Sequence, residues 1–133
     1  MNKKLFVGNS ASISKTFTNN DVKEFADLSN DKNPVHLDEE FAKSSIFGQR
    51  VVHGMLVASL FSGLLGEKLP GNGTIYLGQT LSFTAPVPIE EEVTASVEII
   101  NIRKDKPIVT LRTTCIDSKG NTVIDGEAVV KVS

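Results

Sequence analysis

The chain has 133 residues, enough for one domain, residues 1–133, that buries roughly two-thirds of its unfolded surface. Acidic and basic residues are interspersed and sum to a net charge of −2, which argues against a nucleic-acid or membrane-surface partner. A lone cysteine, Cys115, excludes a disulfide framework and a cysteine-based metal site, and fits a reducing, cytoplasmic setting.

Lys3 and Lys4 are too few for a basic tail, and the first residues lack the apolar core of a signal peptide. Residues 12–17 alternate weakly and predict a short strand. Thr18 to Asp21 then supply helix-capping chemistry ahead of an apolar stripe at helical spacing, Val22, Phe25, Ala26 and Leu28. That helix is expected to stop at Ser29 and Asn30, because Asn tolerates the left-handed conformation. A tight turn is expected over residues 31–37, and Asp38, Glu39 and Glu40 open a second short helix carrying Phe41 and Ala42 inward. Residues 45–50 read as a loop.

Residues 51–66 form the longest helical candidate, apolar around most of its circumference and therefore expected to be buried on nearly all sides. It is too short and too interrupted for a bilayer span. Ser59, Ser62 and Gly63 leave room for a sheet or a ligand, and Gly66 and Pro70-Gly71 end the segment. Beyond Gly73 the pattern changes to β-branched alternating runs at 74–84, 92–103, 107–116 and 122–132, separated by turn signals. Val93, Ala95, Val97 and Ile99 alternate with Thr94, Ser96 and Glu98, so one face is buried. Helices first and antiparallel strands afterwards predict an α+β domain, a long central helix wrapped by a curved antiparallel sheet.

Two histidines carry the chemistry-bearing patterns. Asp31 and His36 would lie on different faces of a continuous helix. Pro34 removes that geometry, since it donates no N–H and pushes Asn33 into an extended conformation. In a bend the two side chains can converge on one water, and a carboxylate beside an imidazole is a general acid/base device near neutral pH. The plain alternative is a solvent-facing turn in which Asp31 caps its own backbone and His36 only packs. His53-Gly54 lies at the helix start, where unpaired N–H groups favour negative charge. The His53 side chain reads as a core histidine satisfied by nearby backbone, and the Gly54 N–H as the oxyanion donor. The histidines lack tight metal-ligand spacing, no phosphate or dinucleotide fingerprint is present, and Ser62 lacks a nucleophile elbow. Cys115, mid-strand, reads as core. Glu90 to Glu92 read as a solvated strand entry. No metal and no cofactor are expected.

The stretches FADLSNDKNPVHLD at 25–38, Phe41-Ala42 and VVHGM at 51–55 together resemble the hydratase-2 signature of the MaoC-like family. The similarity continues through residues 56–83 and the closing GEAVVKV, and is strongest to the short (R)-specific enoyl-CoA hydratases of polyhydroxyalkanoate synthesis. Asn30 stands where the family pattern usually has Gly, and Glu91-Glu92 where relatives often carry Gly-Asp. The resemblance implies a hot-dog fold, a homodimer and an acyl-CoA substrate. It also implies reversible syn hydration of trans-2-enoyl-CoA to (R)-3-hydroxyacyl-CoA, linking fatty-acid β-oxidation to polymer synthesis. Carried over by position, Asp31 and His36 activate the water, Asp31 as proton carrier, and the Gly54 N–H polarises the thioester carbonyl. Asn33, Ser62 and Leu65 become substrate-binding residues, the last two bordering the acyl pocket. The rival readings are a 3-hydroxyacyl-acyl-carrier-protein dehydratase and a non-catalytic hot-dog acyl-binding subunit. A hot-dog thioesterase would need a differently placed carboxylate.

Overall fold

The computed structural model describes residues 4–133, so Lys3 lies outside the described residues. Its elements are β1 (Ser10–Thr16), α1 (Asn19–Ser29), α2 (Pro34–Leu37), α3 (Glu39–Lys43), α4 (Gly54–Gly63), β2 (Ile75–Gln79), β3 (Ser82–Phe83), β4 (Glu92–Ile102), β5 (Ile108–Asp117) and β6 (Thr122–Lys131). One antiparallel sheet runs in the order β1-β4-β5-β6-β2, and β3 also pairs with β6. The α4 helix packs against it, giving the wrapped-helix α+β arrangement expected of a hot-dog fold.

The inner face of the sheet explains the alternation. Val93, Ala95, Val97 and Ile99 of β4 are fully buried. Register sets Ala95 beside Cys115 and Ile124, Val97 beside Thr113 and Gly126, and Ile99 beside Leu111 and Ala128. With Val57, Phe61, Leu64 and Leu65 from the helical side these rows close one hydrophobic core. In the middle row Thr113 is a buried hydroxyl, satisfied by the Gln79 side-chain amide at 2.8 Å. A Cβ on Gly126 would collide with the Thr80 carbonyl, so the glycine makes room for the backbone after β2. Burial pushes the Cys115 thiol up to about 12, which makes it a core residue rather than a nucleophile.

The α1 boundaries follow the sequence. Thr18 and Asp21 form a reciprocal capping box, and Asn30 ends the helix in the left-handed region at φ 65°. Five expectations are corrected. Residues 31–37 are not wholly a turn, because Pro34 starts the single-turn helix α2, its fixed φ suiting a first helical position that needs no donor. The long helix starts at Gly54 rather than at 51, because the backbone of Val51 and Val52 bridges to residues 87 and 88. It continues past 66 as a π-helical turn to Lys68, where Leu69 and Gly71 N–H groups bond back to Leu64 and Leu65. Nor is it buried all round: Met55, Ser59, Ser62 and Gly63 form an open stripe in the isolated chain. Finally the strand expected at 74–84 is broken into β2 and β3, with a bulge at Leu77. The break falls where the Thr80 hydroxyl, not a backbone carbonyl, takes the Glu127 N–H.

Candidate active site

Residues 29–38 are a chain of short-range caps. The Asp31 N–H donates to Ser29 Oγ, Asp31 Oδ1 accepts from Asn33 N–H at 3.2 Å, and Asn33 Oδ1 accepts from Val35 N–H at 3.1 Å. Asp38 repeats the device by capping Phe41 N–H. The plain alternative, in which Asp31 caps its own backbone, therefore holds for one oxygen only. The other oxygen makes no hydrogen bond among the described residues, and Asp31 lines a cavity.

His36 sits on α2, whose backbone is tied down by Arg50: Nε donates to the His36 carbonyl at 2.8 Å and Nη2 to Asn19 Oδ1 at 2.7 Å. Its ring nitrogen Nδ1 lies 2.7 Å from the Val51 carbonyl. A carbonyl only accepts, so Nδ1 carries the proton and Nε2 is the bare nitrogen of the neutral ring. His53 is bound the same way in mirror sense. Its Nε2 donates to the Asp31 carbonyl at 3.0 Å, so its Nδ1 is bare. The two imidazoles stack with centroids 3.8 Å apart and planes at 26°, and the Phe25 ring meets His53 edge-on at 4.9 Å. Burial, ahead of the Asp31 carbonyl that opposes it, holds the His53 pKa below the usual histidine value.

One donor atom from each of Asp31, His36 and His53 falls within 4.8 Å of the others; the bend was read as bringing Asp31 and His36 together, and the addition of His53 is what sequence spacing did not reveal. The arrangement suits proton handling better than a metal ion. Each imidazole keeps one bare nitrogen after its bond to a carbonyl, but a metal lies in the plane of each imidazole it binds, whereas these planes are stacked face to face.

Gly54 is the first residue of α4, so its N–H points out of the helix end without an intrahelical partner. Its φ lies outside the left-handed region, so glycine is needed here for space. The neighbour is a protein side chain: a Cβ at 54 would sit 2.7 Å from Cδ1 and Cε1 of Phe83. Asp31, His36 and Gly54 border one cavity of about 490 Å³, with Phe47, Val57 and Phe83 among its apolar walls. Val57 is a helix residue, while Phe47 and Phe83 come from a loop and a two-residue strand whose place at the site the sequence did not signal.

The remaining expected site residues lie elsewhere. Asn33 does not line this cavity; its side chain caps α2. Ser62 borders a second cavity of about 480 Å³ along the open stripe of α4, together with Tyr76 and Gln79. Leu65 is buried in the core and borders neither. Met55 touches both cavities.

Residues 8–119 match the MaoC-like domain family. An (R)-specific enoyl-CoA hydratase from Aeromonas caviae is 55% identical over 96% of this chain and 96% of its own length. A second protein of that name, from Rhodospirillum rubrum, is 47% identical over 94% of this chain and 86% of its own. The solved structure of the (R)-hydratase from A. caviae involved in PHA biosynthesis superposes with a TM-score of 0.97 at 53% identity, covering 98% of this chain and 99% of that one. Fold and sequence agree over nearly the whole length: the chain belongs to the MaoC-like family, with its hot-dog fold.

Proposed function

We propose that this enzyme is an (R)-specific enoyl-CoA hydratase, a hydro-lyase that adds water reversibly to trans-2-enoyl-CoA to give (R)-3-hydroxyacyl-CoA. The observation that supports it most directly is the meeting of Asp31, the His36 ring and the Gly54 helix start at one largely apolar cavity. In this reading a water sits between the free Asp31 oxygen and the bare His36 Nε2. Asp31 takes a proton from the water as its oxygen bonds to C3, and the C2–C3 π electrons move onto the thioester, giving an enolate. The Gly54 N–H and the positive end of α4 stabilise the enolate oxygen; by analogy with other oxyanion donors that is worth about 3 kcal/mol. Asp31 then returns its proton to C2 on the face the water entered, which makes the addition syn and leaves the enzyme unchanged. Asn33 serves the site by holding α2 in register. Ser62, on the second cavity, shapes the distal acyl end, and the product feeds polyhydroxyalkanoate synthesis, the process in which the A. caviae (R)-hydratase is involved.

The same reading treats residues 1–133 as one domain acting in the cytoplasm as a homodimer. No helix among the described residues is long and apolar enough to cross a membrane. Supporting the dimer, β2 pairs only with β6 among the described residues and leaves Ile75, Tyr76 and Leu77 exposed beside the open stripe of α4. An unpaired apolar edge of this kind favours a second copy. Sedimentation at micromolar concentration should give a two-chain mass; a monomer would remove this part.

The test of the activity is hydration of crotonyl-CoA, followed by loss of the conjugated-thioester absorbance and by chiral analysis of the product. Asp31→Asn and His36→Ala should each slow turnover at least ~100-fold with the fold intact, the scale of a lost general acid/base. A normal rate for purified Asp31→Asn would refute the mechanism.

A further inference from the structure

We propose that His53 is a positioning residue for this reaction: its ring fixes the Asp31 main chain and the His36 imidazole relative to each other and to the adjoining Gly54 amide. The inference rests on the hydratase reading above and assigns the buried titratable group that the mechanism leaves unused.

Residues 30–33 are held mainly by local bonds. Apart from the His53 bond, the side-chain and loop hydrogen bonds of this stretch join residues no more than three positions apart among the described residues. The bond from His53 Nε2 to the Asp31 carbonyl is the one that ties the loop to the start of α4. The face of the same ring packs on His36, whose edge is bonded to Val51, two residues earlier. One short segment, 51–54, thus grips His36 at its edge and on its face, holds Asp31, and presents the oxyanion amide.

The neutral imidazole supplies both a flat face and an edge donor at this place. His53 is 2% exposed, and Phe25 of α1 packs edge-on against it. The groups facing it that carry charge are the Asp31 carboxylate and, when protonated, His36. Burial lowers the His53 pKa and so favours its neutral form in the stack. Its Nδ1 is buried with no hydrogen-bond partner among the described residues. An orphaned buried acceptor calls for a reason. Here the ring is turned to serve Asp31, and Nδ1 is left bare as the consequence.

Two variants separate the two grips. His53→Phe keeps a stacking face and loses the donor; His53→Gln keeps a donor and loses the face. Each should lower kcat on crotonyl-CoA about tenfold or more, as displaced catalytic groups do, with KM changed by less than about twofold. Nitrogen-15 correlation of the imidazoles should show His36 as the Nδ1–H tautomer in the wild type and in His53→Phe, and a mixture in His53→Gln. In the wild type at pH 7, His53 should be neutral with its proton on Nε2, a measurement that needs no variant to fold. Wild-type kcat in both folded variants overturns the inference, as does His53 found as imidazolium or as the Nδ1–H tautomer. So does a kcat loss that matches the unfolded fraction. A wild-type enzyme inactive on crotonyl-CoA would instead sink the hydratase reading.

Discussion

Gly54→Ala tests the oxyanion end of the site, and the structure sets its size. The new methyl group would stand 2.7 Å from two carbons of the Phe83 ring, about 1 Å inside normal carbon contact. In a closed core such overpacking costs about 1–3 kcal/mol. Phe83 is 51% exposed, so its ring can swing outward, and alanine at a helical φ is itself favourable. Global stability should therefore change by less than about 1 kcal/mol, while the displaced ring intrudes on the cavity beside the Gly54 N–H. If that amide supplies about 3 kcal/mol to the enolate, disturbing its approach should lower kcat on crotonyl-CoA by up to ~100-fold. The second substitution makes the argument specific. Phe83→Ala in the Gly54→Ala background restores room for the methyl and should recover at least about a third of the lost activation free energy. The assays are steady-state hydration and thermal unfolding of the two single variants and the double. Wild-type turnover in Gly54→Ala, or no recovery in the double variant, would refute the close approach as the reason for glycine here.

Other outcomes follow from the same geometry. Thr18→Ala removes one arm of the capping box and should cost about 1 kcal/mol in urea unfolding, without altering turnover per folded enzyme. Because the folded-state pKa of His53 is depressed, the unfolded chain binds more protons as pH falls below about 6.5. Stability should therefore drop from there toward the lower folded-state value, and urea midpoints for His53→Phe should lose that part of the slope. Cys115 should resist a thiol reagent in native enzyme and react at full rate in denaturant, since its thiol is buried and held near 12. Leu65→Ala should destabilise by about 2–5 kcal/mol as a core truncation. Enlarging residue 65 tests the acyl-pocket assignment separately, through a shift toward shorter acyl chains.

What the sequence disclosed is what local chemistry decides. The Thr18–Asp21 box, the left-handed Asn30 and the alternation from Val93 to Ile99 are written within a few residues and appear as read. Pro34 also carried a true message, that Asp31 and His36 are not on one continuous helix, although the proline opened a helical turn of its own. The helix start was misplaced because residues 51–53 are apolar enough for either state. Their conformation is chosen by partners more than thirty residues away, at Val87 and Pro88. The cut at Thr80 depends likewise on Gly126 and Glu127. Phe83 entered the site unannounced because nothing in residues 80–85 marks which glycine its ring will cover.

The site is thus assembled by backbone carbonyls as much as by side chains. The Val51 carbonyl assigns the His36 tautomer and the Asp31 carbonyl assigns that of His53, so each ring offers one bare nitrogen without needing a second carboxylate as orienter. Asp31 is correspondingly free of any ion-pair duty: the Lys32 ammonium beside it in sequence leans to Asp27 instead, and no cation bridges the Asp31 carboxylate among the described residues. A carboxylate clamped by a cation would resist taking a proton, whereas one holding a single backbone N–H keeps an oxygen free to accept and return it. The Asp-x-Asn-Pro-x-His spacing works because Asn33 and Pro34 build the one turn of helix that delivers His36. The aspartate stays outside that helix, bonded on one side only.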